Sequence, residues 1–192
     1  MFEIELKAHL ADRSAAADRI SGFADYAGFT EKHDTYWLPA DTGSGMPDIR
    51  VRETGGQTAG QLARQTVVTF KKRELRDDVE INNETEFTVS GRTASGREEF
   101  EILLRALGFV PGIRKHKSTS IWRCENALIE ISAVEGLGDF IEIEILSETN
   151  DPETIETCTR KLHDILARAG VPETAIERRY YTQMLSEAQG KR

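Results

Sequence analysis

Five short stretches place like charges two residues apart. MFEIELK sets Glu3, Glu5 and Lys7 between Phe2, Ile4 and Leu6, and DIRVRE sets Arg50 and Arg52 against Ile49 and Val51. NNETEFTV carries Glu84 and Glu86, RKHKS carries Lys115 and Lys117, and FIEIEIL carries Glu142 and Glu144. VVTFKKR ends a strand-like run on Lys71. Strict alternation is the period of a β-strand, so residues i and i+2 share one face, about 6.5–7 Å apart. One such face is what an antiparallel sheet with a wet side produces routinely. An idle wet face gains by mixing signs, however, because like neighbours repel. Here three strands carry Glu-x-Glu and two carry paired cations.

If the strands curl into a barrel with these faces inward, six glutamates meet several lysines and arginines. Buried charges are costly unless they are paired or bind a metal. Carboxylate oxygens suit Mg²⁺ and Mn²⁺, and Lys and Arg suit phosphate oxygens. A cavity holding both groups fits a metal–polyphosphate complex.

Three helices stand out among the elements that must position these side chains. The first is expected from Asp12 to Ala27, with Ile20, Phe23 and Ala27 on one stripe and Gly28 as its stop. The second begins at the capping box Ser95–Glu98 and carries Phe100, Leu103, Leu104 and Leu107 before Gly108. The third has Asp151 as cap, Pro152 in its first turn and a stop at Gly170 and Pro172. A weaker helix covers Arg178 to Ala188. Eight strand-like runs lie between them: Phe2–Leu10, Thr30–Leu38, Ile49–Glu53, Leu62–Lys72, Val79–Ser90, Ile113–Arg123, Ala127–Val134 and Asp139–Leu146. Pro39–Pro47 and Thr54–Gly60 read as loops, and so does the mixed-charge run from Lys72 to Asp78. The pattern predicts an α+β fold, a mostly antiparallel sheet with flanking helices.

The 192 residues suffice for a sizeable core, with 39% hydrophobic and 30% charged residues. Nothing approaches a membrane-spanning run, and the acidic N-terminus does not resemble a signal peptide. Cys124 and Cys158 match no metal spacing and are expected as free thiols in a reducing cytoplasm. A net charge of −8 argues against nucleic acid as a partner, though not against a local basic pocket. His9, His33, His116 and His163 are scattered without metal-ligand spacing and read as ordinary surface or satisfied histidines.

The ordered set of motifs resembles the CYTH superfamily, the triphosphate tunnel metalloenzymes. MFEIELK contains its N-terminal Glu-x-Glu-x-Lys signature. HDTYW (His33–Trp37), IRVRE, TFKK, Glu84-x-Glu86, Lys115-x-Lys117, VEGLGDFIEIE (Val134–Glu144) and RRYYTQML (Arg178–Leu185) follow in family order. The VEGLG…EIE stretch is most similar to the branch of class IV adenylyl cyclases. The resemblance implies one domain over residues 1–192, an eight-stranded antiparallel barrel with a polar tunnel, and Mg²⁺ or Mn²⁺ as cofactor. It implies metal ligation by Glu3, Glu5, Glu142 and Glu144, with Glu84, Glu86 and Glu130 as secondary ligands or charge partners. It implies a triphosphate cradle of Lys7, Arg50, Arg52, Lys71, Lys115 and Lys117, of which Lys7, Arg52 and Lys71 carry catalysis. It is also compatible with a homodimer. Two positions depart from the family: Ser132 stands where an Asp is usual, and Lys115-x-Lys117 replaces Lys-x-Arg.

Three functions compete. The first is cyclisation of ATP to cyclic AMP and pyrophosphate. The second keeps the site and lets water attack tripolyphosphate, thiamine triphosphate or a nucleoside triphosphate. The third is a non-catalytic polyphosphate- or nucleotide-binding module, motivated by Ser132. Tyr36 and Trp37 are candidates for base stacking, with strand packing expected for at least one, and Tyr180 and Tyr181 are expected to help close one tunnel end.

Overall fold

The computed structural model describes residues 1–41, 49–58, 61–76, 78–90 and 96–190, and the side chains of residues 56–58, 61–63 and 71–73 fall outside that description. Strands β1 (Phe2–His9), β2 (Asp25–Pro39), β3 (Ile49–Thr58) and β4 (Gln61–Arg76) form the first half of the chain. They are followed by β5 (Val79–Val89), β6 (Phe109–Cys124), β7 (Ala127–Val134) and β8 (Gly138–Ser147). The helices are α1 (Arg13–Ser21), α2 (Arg97–Ala106), α3 (Pro152–Arg168) and α4 (Tyr181–Ala188), with one 3₁₀ turn at Glu173–Ala175. All eight strands pair antiparallel and close into a barrel in the order β1-β5-β4-β3-β2-β6-β7-β8.

The alternation seen in MFEIELK sets the polarity of this barrel. On β1 the apolar phase, Ile4, Leu6 and Ala8, points outward and is removed from water by the helices. The main core therefore lies outside the barrel wall. There α3 lays Ile155, Leu162, Ile165 and Leu166 against β1 and β8, where Ile143 and Ile145 are also fully buried. Burying each such side chain contributes about 1.5–3 kcal/mol. Asp151 starts α3 by accepting the Thr154 N–H at 2.9 Å, with Pro152 in the first turn. A second cluster gathers Trp37, Val51, Val68 and Phe109 under Leu104 of α2. A third seats Tyr181 and Met184 of α4 on Val134 and Phe140 at one end of the barrel.

Several expected boundaries shift. The first helix stops at Ser21, capped by the Gly22 N–H on the Arg19 carbonyl, and the chain enters β2 at Asp25. Ile20 and Phe23 still meet the same core, which explains the apparent helical stripe. Gly28, expected as a helix stop, has φ +126° and sits where the β2–β6 register slips between Tyr26 and Gly28. Only glycine adopts that conformation without strain. Thr54–Thr58, expected as a loop, continues β3, because the β3–β4 hairpin pairs as far as Thr58 with Gln61. The mixed-charge run expected to be loop is strand through Arg76, which pairs with Val79, and Glu74, Leu75 and Arg76 face water. Likewise β6 begins at Phe109, four residues before Ile113. Residues 42–47 of the Pro39–Pro47 loop and the cap at Ser95 lie outside the described residues.

Among the described residues no helix is long and apolar enough to cross a membrane. Cys124 and Cys158 are free thiols.

Candidate functional site

With the apolar phase outward, the charged phase lines a cavity of about 510 Å³ inside the barrel. Its wall divides by sign. The contiguous strands β7, β8, β1 and β5 contribute carboxylates: Glu130, Glu142 and Glu144, Glu3 and Glu5, and Glu80, Glu84 and Glu86. The facing strands β3, β2 and β6 contribute Arg50, Arg52, Lys32, Lys115 and Lys117. Register explains the grouping. Glu5 stands opposite both Glu144 and Glu80, and Glu142 stands opposite both Lys7 and Glu130. On the other side, Asp34 stands opposite both Arg52 and Lys115.

Among the described residues, each arc contains one residue of the opposite sign. In the acidic arc, Lys7 donates to Glu80 at 3.0 Å. Burial pushes the Lys7 ammonium toward neutrality, but Glu80 and Glu5 more than offset this and hold its pKa above the ordinary lysine value. In the basic arc, Asp34 accepts the Arg52 fork at 2.7 and 2.9 Å and lies 3.1 Å from Lys115 Nζ. Burial alone would raise the Asp34 carboxyl, yet Arg52 and Lys115 keep it well below the usual range. The bidentate fork also fixes the plane of the Arg52 guanidinium.

The arcs meet along the β6–β7 seam. Lys117 binds Glu142 and stands 3.6 Å from Glu130, which also accepts Lys32 at 2.5 Å. Burial opposes ionisation of Glu142, but Lys117 and Lys115 outweigh it and depress its pKa strongly. Lys32 shifts the other way: burial dominates, and despite Glu130 its pKa falls below the ordinary value. At the opposite seam Arg50 donates to Thr69 at 2.8 Å, and Thr69 in turn donates to Glu86 at 3.0 Å. The buried Arg50 Nε finds no acceptor among the described residues.

The two ends of the cavity differ. At one end Tyr181 from α4 is nearly buried, and its ring lies 4.7 Å from Lys7 Nζ, 4.7 Å from Lys115 Nζ and 5.2 Å from Lys117 Nζ. Three ammonium groups facing one aromatic ring are held partly by its quadrupole. At the other end Met1, Leu128 and Leu146 line the wall beside Glu3 and Glu144, and Met1 and Leu146 are exposed.

The cavity thus brings together the predicted Glu3, Glu5, Lys7, Arg50, Arg52, Glu84, Glu86, Lys115, Lys117, Glu130, Glu142 and Glu144. Lys71 sits in β4 opposite Glu84, and its side chain lies outside the described residues. Tyr36 lines the cavity and accepts from Lys115 at 3.2 Å, whereas Trp37 points outward and is fully buried against α2. Ser132 is fully buried, within 3.0 Å of Thr119 Oγ1 and donating to Glu142 at 3.5 Å. A hydroxyl there replaces the expected carboxylate with a weak donor to a neighbouring one.

The barrel interior also holds Lys32, Asp34, Glu80 and Asn82, which like-charge spacing does not single out. The signal was present as Lys32-x-Asp34-x-Tyr36 and Glu80-x-Asn82-x-Glu84-x-Glu86. Mixed signs in the first, and the uncharged Asn82 in the second, hid it from a search for like-charge pairs.

The donor set fits a hard divalent cation. Glu3, Glu5 and Glu144 offer carboxylate oxygens at the open end. Asn82 donates to Glu3 at 3.4 Å, and its buried Oδ1 has no partner among the described residues. Glu142 is engaged by Lys117, so its part in holding a cation requires that pair to loosen.

Similar architecture occurs in solved structures. The PH1819 protein of Pyrococcus horikoshii OT3 superposes with a TM-score of 0.80 at 24% identity, covering 96% of this chain and 98% of its own. A Vibrio parahaemolyticus protein described as a candidate adenylate cyclase gives 0.76 at 17% identity, covering 97% and 98%. HpAC1 from Hippeastrum, described as a candidate adenylyl cyclase with a dominant triphosphatase activity, gives 0.64 at 21% identity, covering 99% and 97%. Comparison with curated proteins finds no match. The CYTH domain family model matches residues 1–181, nearly the whole chain, so the chain belongs to the CYTH domain family.

Proposed function

We propose that the chain is a divalent-metal-dependent enzyme acting on a triphosphate, and that its reaction is the adenylyl cyclase-like conversion of ATP to cyclic AMP and pyrophosphate. The observation that carries this reading is the division of one cavity wall into an acidic and a basic arc. A metal triphosphate is divided the same way, with cation on one side and anionic oxygens on the other. Arg50, Arg52, Lys115 and Lys117 bind the phosphate chain, and Lys7, Arg52 and Lys71 neutralise the charge that develops on the departing pyrophosphate. Mg²⁺ or Mn²⁺ at Glu3, Glu5, Glu144 and Glu142 would supply Lewis-acid charge and acidify the attacking hydroxyl. The apolar surface of Met1, Leu128 and Leu146 beside Glu3 and Glu144 supports a base at the open end, with the phosphates directed inward. In that orientation the ribose 3′-hydroxyl gives up its proton to solvent water, its oxygen bonds to the α-phosphorus, the α–β bridging P–O bond breaks, and pyrophosphate leaves with that bond's electron pair.

A second reading, hydrolysis of a triphosphate by water, is favoured by Ser132. The residue supplies no charge where the cyclase-like branch carries Asp, so one fewer carboxylate is available to hold metal beside the α-phosphate. The description of the Hippeastrum protein names both activities. The test is to incubate the protein with ATP, and separately with tripolyphosphate, in Mg²⁺ or Mn²⁺ and to resolve the products by ion exchange. Equal amounts of cyclic AMP and pyrophosphate are expected. ADP and orthophosphate without cyclic AMP would transfer the assignment to the triphosphatase. Tight binding of both compounds with no turnover in either metal would leave a binding module.

A further inference from the structure

We infer that the outer wall of the barrel carries a second cation site, built from Glu31, His33 and His116 and suited to a nitrogen-seeking transition metal such as Zn²⁺. It does not depend on the chemistry proposed for the tunnel. The four histidines looked scattered along the chain, but register brings two together: His33 on β2 stands directly opposite His116 on β6. Their rings stack 4.3 Å apart at 6°. One ligand atom from each of Glu31, His33 and His116 lies within 4.8 Å of the other two, the only such His/Cys/Asp/Glu group among the described residues. Tetrahedral Zn²⁺ with bonds of about 2.0–2.1 Å needs ligand atoms about 3.4 Å apart and lone pairs that converge, so the exposed His33 ring has to swing out of the stack to join Glu31 and His116.

The surroundings of His116 themselves call for a cation. Its Nε2 lies 2.7 Å from Glu31 Oε2, and its Nδ1 lies 3.5 Å from Glu135 Oε2. A neutral imidazole donates through only one nitrogen, so its other lone pair would face a carboxylate. A proton or a metal ion resolves that conflict. The half-buried Glu31 is further oriented by Ser118, which donates to it at 2.9 Å. His33, turned out of the stack, supplies a second nitrogen close by, which a proton on His116 would not use and a metal would. Glu135 then holds the ring from behind, the usual place of a carboxylate behind a metal-bound histidine. The cluster opens onto a surface groove that also contains Glu53, so a cation can enter from solvent. Its inward neighbours on the same strands are Lys32, Asp34, Lys115 and Lys117. A metal here would therefore fasten β2 to β6 directly behind the tunnel cations.

The test is isothermal titration of the intact protein with Zn²⁺ in excess Mg²⁺, repeated with His33→Ala, His116→Gln, the double variant and, as a tunnel control, Glu5→Gln/Glu144→Gln. His33 is exposed, so its loss should leave the fold intact, as a melting curve will verify. One Zn²⁺ is expected in the wild type and the tunnel control, weakened at least about tenfold in each single variant and lost in the double. Zn²⁺ should also raise the melting temperature of the wild type but not of the double variant. Substituting Co²⁺ should give visible bands of a nitrogen-containing site only when both histidines are present. Equal Zn²⁺ affinity in wild type and double variant, or loss of all Zn²⁺ binding in the tunnel control, would overturn the assignment.

Discussion

The two arcs of the tunnel wall use the same strand geometry and solve opposite problems. On β7, β8, β1 and β5 the inward residues repel one another as anions, with Lys7 as the cation among them. On β3, β2 and β6 they repel as cations, with Asp34 the carboxylate between Arg52 and Lys115. The basic arc is the more tightly organised, because Asp34 is wholly buried and grips two cations at once. The acidic arc leaves Glu5 and Glu144 half-buried at the open end. The barrel thus holds its basic half tightly paired and leaves carboxylates of its acidic half accessible, which suits the proposed loading by a metal–triphosphate complex.

The strongest way to break the comparison is Asp34→Ala. Removing one partner of a buried pair leaves uncompensated charge, here Arg52 and Lys115, and should cost about 3–5 kcal/mol in urea denaturation. A loss under about 1 kcal/mol would mean that Asp34 does not organise the basic arc. Next in size is Glu144→Gln, which should raise the Mn²⁺ concentration for half-maximal activity about 10- to 100-fold with little change in metal-free tripolyphosphate binding. Arg50→Lys should do the reverse. It removes the fork, weakens tripolyphosphate binding about tenfold and leaves the metal requirement nearly unchanged. If the two variants had the same phenotype, the separation into arcs would be wrong.

Acid is the gentlest probe. The folded pKa values of Asp34 and Glu142 lie below their ordinary 3.8 and 4.5, since cations outweigh burial at both sites. The unfolded chain therefore takes up protons first as pH falls. The stability these carboxylates contribute is complete above about pH 5 and is lost progressively below about pH 4. Asp34→Asn should start less stable at pH 7 and show a shallower acid limb in denaturation midpoints between pH 7 and pH 3.

Much of this arrangement was legible in the sequence. Alternation located all eight strands, because a period of two survives any tertiary context that keeps one face apolar. It could not say which face turns inward for MFEIELK taken alone; α3 decides that by burying Ile4 and Leu6. Boundaries failed where glycine was ambiguous, as at Gly28, where a register slip imitates a helix stop. Among site residues, like-charge pairs were found and mixed ones were not. Lys32 and Asp34 look unremarkable in sequence and gain meaning only from Glu130, Arg52 and Lys115 across the barrel. The pairing of His33 with His116 was likewise invisible, since 83 positions separate them and only the β2–β6 register joins them.

The division of labour is tested most directly by a crystal structure with a non-hydrolysable triphosphate and Mn²⁺, with manganese located by its anomalous signal. A manganese peak against Glu5 and Glu144 and phosphate oxygens on Arg50, Arg52 and Lys115 are expected within the same cavity. Manganese away from those carboxylates, or a triphosphate bound on the outer surface with the tunnel unaltered, would contradict it.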